Sequence, residues 1–305
     1  LIIYGPIKNT LGFNNIKIAY NAGAPINEEV FMLYRAIGIN LKELYMQTES
    51  GGYVCHHQGS AVEAETLGQA AAQVKLRIDE HGEIVFQSPG NFKGYYKDDE
   101  ATKTALDPEG GFKSGDIGEL TASGALKLLG RKSEIGKTST DEKFTPQYIE
   151  NKLRVCPFIR EAVTYGLDRP FVSAIITIDA ETVGALIEQK GEISGGYVEL
   201  SQRDNVYDLI QSNIEATNNN LSNDRGSSGL QIQRFLILPK QFSSISGEYT
   251  QMGKLRRHII DSHYKKLVEA IYSGKDAVEF NTANDSQTGK KNASSINIKI
   301  RNIKT

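Results

Sequence analysis

Apolar positions along the chain fall into short runs whose spacing changes twice. Residues 16–20 are apolar and β-prone and break into Asn21-Ala22-Gly23-Ala24-Pro25, which predicts a strand running into a tight loop. Asn27 is placed to cap a helix, with Glu28 and Glu29 in its first turn and Val30, Phe31, Leu33, Tyr34 and Ile37 as its apolar positions. Residues 41–45 read as a second strand, ending in Gln47-Thr48-Glu49-Ser50-Gly51-Gly52. Two strands that each end in a small-residue loop, with a helix between them, predict part of an α/β sheet, and ligands collect at such strand ends. From Val74 the pattern shortens to strands at 74–78, 83–87, 117–121 and 125–129, separated by Gly, Asp and Pro, which predicts a β-rich subdomain.

After the polar break Gly130-Arg131-Lys132-Ser133 the pattern alternates again. Helices are predicted at 146–153, 180–190, 203–218 and 255–272, with strands at 172–178 and 234–238. The fold class is therefore α/β with α+β: an α/β piece with a β-rich subdomain, then a small α+β domain. Beyond Ser273 Asn, Ser, Thr and Lys dominate, so residues 274–305 are expected to be a largely disordered tail, apart from a short β-prone run at 296–300.

Composition narrows the class. With 39% hydrophobic and 24% charged residues the chain can bury a core, and its net charge of −2 predicts no nucleic-acid partner. No run approaches the roughly 18 apolar residues of a membrane span, which leaves only peripheral membrane contact open. Two cysteines, Cys55 and Cys156, cannot form a disulfide framework, and a reducing, cytoplasmic location is the simpler reading. The chain opens at Leu1 without a signal-peptide pattern, so a processed chain or a fragment is expected.

Two motifs look chemical and fail on inspection. Gly130 to Gly136-Lys137-Thr138 resembles a phosphate loop but has five residues between its glycines instead of four, and Arg131 stands where a glycine should open the backbone. Cys55-His56-His57 looks like a metal set, yet adjacent strand residues point to opposite faces and no second cluster completes it.

Several segments in order resemble one family, the AMP-forming acyl-CoA synthetases of the adenylate-forming enzymes. They are Asn21-Ala22-Gly23-Ala24-Pro25; Tyr45-Met46-Gln47-Thr48-Glu49; Gly82-Glu83-Ile84 through Ser88-Pro89-Gly90; Gly94-Tyr95-Tyr96 with Glu100-Ala101-Thr102; Gly111 through Gly118 with Gly130-Arg131-Lys132; Lys137-Thr138-Ser139 leading to Phe144 through Glu150; and Gly253-Lys254-Leu255-Arg256-Arg257. The resemblance covers about residues 1–272, and residues 130–150 with Pro170-Phe171-Val172-Ser173-Ala174 favour its long-chain fatty-acid subgroup.

The resemblance implies two stages: a carboxylate and ATP give acyl-AMP and pyrophosphate, then CoA displaces AMP. It implies ATP/AMP, Mg²⁺ and CoA as cofactors, and fatty acid, ATP and CoA as small-molecule partners. Residues 1–130 would be the C-terminal part of the AMP-binding domain and 131–273 the small, mobile C-terminal domain. Asp116 would accept ribose hydroxyls, Glu49 would ligate Mg²⁺, and Thr48 would donate to the α-phosphate. Tyr45 would give adenine an aromatic face, with Gly23, Ala24 and Pro25 as the opposite wall. Arg131 would reach ribose or phosphate, and Lys254 would bring a cation to the reacting carboxylate and α-phosphate. A hinge near Ser133 would exchange Lys254 for Lys137, Thr138 and Ser139, which would line the CoA path.

Departures from the family matter as much. No Ser/Thr/Gly-rich loop ending in Pro-Lys is present to clamp the terminal phosphates, so the chain resembles only a C-terminal half, expected to be inactive without the missing N-terminal half. Met46 replaces a glycine, Gly253 stands where relatives often have a larger residue, and Asp141 stands where relatives have glycine and would repel CoA phosphates or narrow the path. A ligase that passes acyl-AMP to a carrier protein, and a non-catalytic adenylate-binding remnant or regulatory module, are the alternatives.

Overall fold

The structure is a computed structural model that describes residues 4–303 except 24, 25, 27, 60, 61, 224–229, 252 and 282–294. Ala24, Pro25 and Asn27, singled out above, lie outside the described residues. The chain divides into two compact units, Leu1–Ile135 and Gly136–Thr305.

The first unit starts with α1 (Tyr4–Thr10), β1 (Ala19–Asn21), α2 (Glu28–Ala36) and β2 (Leu41–Gln47). Acidic residues open α2 and Arg35 closes it, matching the helix dipole at both ends. Its Phe31 is buried with Ile37, Ile39 and Leu41, so the helix packs back on the strand it feeds, and β1 and β2 run parallel. A turn of 3-10 helix (Thr48–Ser50) then reverses the chain into β3 (Gly52–His56), antiparallel to β2, and β4 (Gln69–Ala70) completes a sheet ordered β1-β2-β3-β4. A second, antiparallel sheet follows: β5 (Lys75–Ile78), β6 (Glu83–Gln87), α3 (Asp99–Ala105), β7 (Phe112–Leu120) and β8 (Leu126–Arg131). Tyr45, Val54 and Cys55 of the first sheet share one core with Ile84, Phe86, Phe112 and Leu126 of the second. That shared core sets the end of β2 beside the middle of β7.

The second unit opens with a small hairpin, β9 (Gly136–Lys137) and β10 (Lys143–Phe144), then α4 (Pro146–Leu153), whose proline sits in the first turn where no N–H is needed. There follow β11 (Ile159–Tyr165), β12 (Val172–Ile178), α5 (Ala180–Gln189), α6 (Tyr197–Leu200), α7 (Asp204–Asn223), β13 (Ile232–Ile237), α8 (Arg257–Tyr272), β14 (Ala277–Asn281) and β15 (Ser295–Asn302). The strands form one sheet ordered β11-β12-β13-β15-β14. Val172, Ala174, Ile176 and Ile178 enter one core with residues of α4, α5 and α7, whereas Ile175 enters another with α8. A strand covered on both faces has no exposed side, which is why VSAIITI reads as a buried strand, with only Ser173 and Thr177 polar and both fully buried.

The tail differs from expectation. The described residues of 274–305 include two strands: β14, and β15, which lies inside the sheet between β13 and β14, with Ile298 and Ile300 buried. Its polar residues occupy the exposed edges of the pattern, and Arg301 and Lys299 pair with Asp204 and Asp208 of α7. A strand supplied with a pre-formed apolar partner needs few apolar residues of its own.

Candidate active site

Asp116 is the centre of the first unit's polar chemistry. It lies on β7 opposite Arg131 of β8, next to a register shift between Ile117 and Gly118. Only 6% of the residue is exposed. Tyr45 donates its hydroxyl to Asp116 Oδ2 at 2.7 Å, and Gln47 donates Nε2–H to the same oxygen at 2.8 Å. Arg131 Nη1 stands 3.1 Å from Oδ1, on the half-exposed side.

The backbone beside Asp116 is held from far away in sequence. Gly115 has φ +70°, a conformation glycine adopts without strain. Its N–H donates to Glu83 Oε1 at 2.9 Å, and Lys132 reaches Glu83 Oε2 at 2.6 Å. Ser114 Oγ accepts from the Asp116 N–H and donates to the Ile84 carbonyl. Asp116 therefore sits in a strand with a local irregularity and not in the simple turn that Ser-Gly-Asp would form alone.

Tyr45 requires a correction. It is 6% exposed and packed in the core both sheets share, so its ring is not the open face expected for adenine. Burial, then the Asp116 charge and hydrogen bond, push its hydroxyl well above the usual tyrosine range, so it stays a donor. Gln47 was missed by the sequence reading. The signal was there: Tyr45 and Gln47 are two apart on β2 and share a face.

Thr48 is exposed and Glu49 partly buried in the turn that follows β2. Glu49 Oε1 accepts the Tyr95 hydroxyl at 2.8 Å; burial and that carboxylate raise the phenol above its ordinary value. Among the described residues no three His, Cys, Asp or Glu side chains gather as a metal site. A lone carboxylate fits only a Mg²⁺ that takes most of its ligands from water and phosphate. Gly23 has φ +91° in a loop whose ends meet one buried carboxylate: Glu43 Oε1 accepts from Asn21 Nδ2 and from the Ile26 N–H. Burial raises the Glu43 carboxyl above its usual range. His57 is a latch on β2, its Nδ1 accepting from the Glu43 N–H, and burial lowers its basicity.

In the second unit Lys254 is exposed at the end of a tight hairpin closed by a Tyr249–Leu255 bridge. The Thr250 N–H donates to the Lys254 carbonyl at 2.7 Å, the Lys254 N–H to Thr250 Oγ1 at 3.1 Å, and Gly253 takes φ +74°. Three residues after Lys254, Arg257 Nη2 meets the buried Glu150 Oε1 at 2.5 Å, pinning the start of α8.

Residues 137–276 match the family model described as the AMP-binding enzyme C-terminal domain. That stretch is similar to AMP-binding enzyme C-terminal domains. Over 89% of its length the chain is similar to fatty-acid–CoA ligases. It is 30% identical over 273 residues to the long-chain-fatty-acid–CoA ligase FadD15 of Mycobacterium bovis, covering 89% of this chain and 44% of that one. It is 26% identical to the long-chain-fatty-acid–CoA ligase ACSBG2 of Gallus gallus, covering 89% and 38%. The chain thus spans less than half the length of these relatives. In fold it is similar to the A-PCP didomain of a carboxylic acid reductase from Segniliparus rugosus, solved with AMP, at a TM-score of 0.69 and 18% identity over 89% of this chain and 37% of that one.

Within the stretch matching that family model, Lys137 and Ser139 are exposed on the opening hairpin. Thr138 is buried, its hydroxyl 2.7 Å from that of Thr140 and accepting from the Glu142 N–H, so it shapes the loop from inside. Asp141 occupies the left-handed region at φ +67° and ion-pairs with Lys137 at 2.6 Å. Ser133 lies in the turn just before the division between the units, where the Glu134 and Ile135 N–H groups both donate to the Arg131 carbonyl.

Proposed function

We propose that this chain is the C-terminal part of an ATP-dependent, AMP-forming long-chain fatty acid–CoA ligase, inactive without its N-terminal half. The fatty-acid carboxylate oxygen attacks the α-phosphorus of ATP and pyrophosphate leaves with the bonding electrons. The CoA thiolate then attacks the acyl carbon of acyl-AMP and AMP leaves. The observation that carries this reading is the buried Asp116 carboxylate, fixed by Tyr45 and Gln47 on one oxygen and open to Arg131 on the other. Tyr45 and Gln47 fix its direction, and ribose hydroxyls would join or displace the half-exposed Arg131 at Oδ1.

The other residues take the roles the family resemblance implies. Thr48 donates to the α-phosphate. Glu49 holds Mg²⁺, which neutralises phosphate charge when bound. Gly23, with Ala24 and Pro25, borders adenine, and Lys254 serves adenylation. After rotation about Ser133, Lys137 and Ser139 line the CoA path with Thr138 supporting them. Among the described residues no helix is long and apolar enough to cross a membrane. A cytoplasmic ligase with peripheral membrane contact fits a substrate pair of soluble nucleotide and long-chain acid.

The test is reconstitution. The 305-residue chain given ATP, Mg²⁺, CoA and a long-chain fatty acid makes no acyl-CoA, and supplying the upstream half, fused or in trans, starts it. Acyl-CoA from the chain alone, or none from the joined halves with each half folded, defeats the reading.

One residue of the CoA-side loop makes a second expectation. Asp141 is a non-glycine in the left-handed region, a place asparagine and aspartate tolerate through local hydrogen bonds. Asp141→Gly keeps the turn and leaves the Lys137 charge uncompensated. An anion about 6 Å from a CoA phosphate in high dielectric costs under 1 kcal/mol, so thioester formation from supplied acyl-AMP should gain roughly threefold in kcat/KM for CoA. A loss instead would mean that Asp141 shapes the path.

A further inference from the structure

We propose that Glu248 is the positioning residue of the Lys254 hairpin, holding its base against α8; the proposal rests on the adenylation role given to Lys254 above. Glu248 has no solvent exposure, an unusual place for a carboxylate six residues from an exposed, functional cation. A buried carboxylate persists only when its oxygens are satisfied, and here the partners come from two other pieces of chain, residues 240–243 and α8. Oε2 accepts the Ser243 N–H at 2.8 Å. Oε1 accepts the Tyr264 hydroxyl at 2.6 Å, with His263 Nδ1 at 3.2 Å and Lys240 Nζ at 4.0 Å.

The main chain of the same residue closes the hairpin. The Glu248 carbonyl accepts the Arg256 N–H at 2.8 Å, directly below the Tyr249–Leu255 bridge. One residue thus ties the hairpin's base together through its backbone and fastens that base to α8 through its side chain. Tyr249 and Leu255 also pack the base against the core that includes α8, whereas Gln251, Gly253 and Lys254 are exposed at the tip. Tyr249 Oη to Glu161 Oε1 is a longer contact at 3.3 Å. Without the Glu248 anchor the lysine keeps its charge and loses its address. An active-site group displaced by about 1 Å can cost on the order of 10²-fold in rate.

The first test uses the 305-residue chain itself. In Glu248→Gln, and separately in Tyr264→Phe, amide exchange at Thr250, Lys254 and Arg256 is expected to quicken about tenfold or more, while β12 and the middle of α8 keep their protection. Unchanged exchange at the three amides in either folded variant overturns the proposal. So does an equal rise throughout the second unit, which would make Glu248 a general stabiliser.

The second test uses the joined ligase. Glu248→Gln is expected to lower kcat for acyl-AMP formation about tenfold, with KM for ATP and thioester formation from supplied acyl-AMP nearly unchanged. A matching rise in KM, or equal loss in both stages, overturns positioning. Lys254→Ala in the same enzyme separates the two readings. If it leaves adenylation intact the catalytic role fails, while the exchange result still decides whether Glu248 anchors the hairpin.

Discussion

Lys254→Ala is expected to slow acyl-AMP formation in the joined ligase by about 10²–10³, the usual cost of removing one preorganised charge from a developing transition state. The hairpin that carries Lys254 is tight, exposed and fixed at its base, which are the properties of a group delivered to a substrate. Negative charge grows on the α-phosphate as the carboxylate oxygen attacks. An ammonium there stabilises the transition state more than the ground state, so the loss appears in kcat. Displacement of AMP by CoA needs no cation at the same place, and thioester formation from supplied acyl-AMP should change little. Rapid-quench measurement of acyl-AMP separates the stages, and an equal loss in both would remove the role.

Asp116→Ala is expected to weaken AMP binding about 10²-fold, equivalent to roughly 2–3 kcal/mol. The same change strands two donors, since the Tyr45 hydroxyl and the Gln47 amide both end on Asp116 Oδ2 in a buried place. An unsatisfied buried donor costs about 1–3 kcal/mol, so the first unit should also lose stability. Calorimetric titration with AMP and denaturant unfolding measure the two effects separately. Gln47→Leu provides the control: it should lose stability with a smaller loss of AMP binding, because Tyr45 and Arg131 still orient the carboxylate. If Asp116→Ala loses stability and binds AMP as before, the carboxylate is a structural tie between β2, β7 and β8.

Several candidate site residues are legible in the sequence because they sit in short local motifs. Asp116, Arg131 and Tyr45 were named from sequence, and the structure brings all three within hydrogen-bonding or ion-pairing range. What each does was less legible. Tyr45 looked like an open ring and is a buried donor, since burial of a strand residue depends on the second sheet that covers it. Thr138 looked like a surface contact and is the inside of a hairpin. Glu83, Glu43 and Glu248 each accept a backbone N–H near a candidate site residue, and no local pattern separates a buried carboxylate from the solvated one that glutamate usually is.

The elements divide in the same way. Residues 146–153 carry their own helix signals, a proline at the first position and an apolar spacing to match, and residues 172–178 form a mostly apolar run stopped by Asp179; both ends were read correctly in each case. β11 was missed because Arg160 and Glu161 interrupt its apolar pattern, and β7 was read five residues short because Ser-Gly-Asp has turn chemistry. The tail strand β15 was seen as β-prone at residues 296–300, yet its place between β13 and β14 was invisible. Amino-acid order alone determined which segments repeat with a helical or strand period and which motifs resemble those of adenylate-forming enzymes. Only the tertiary structure decided which side chains face water and which carboxylate meets which distant amide, because those depend on strand pairing across long loops, where neighbouring residues in space share no pattern along the chain.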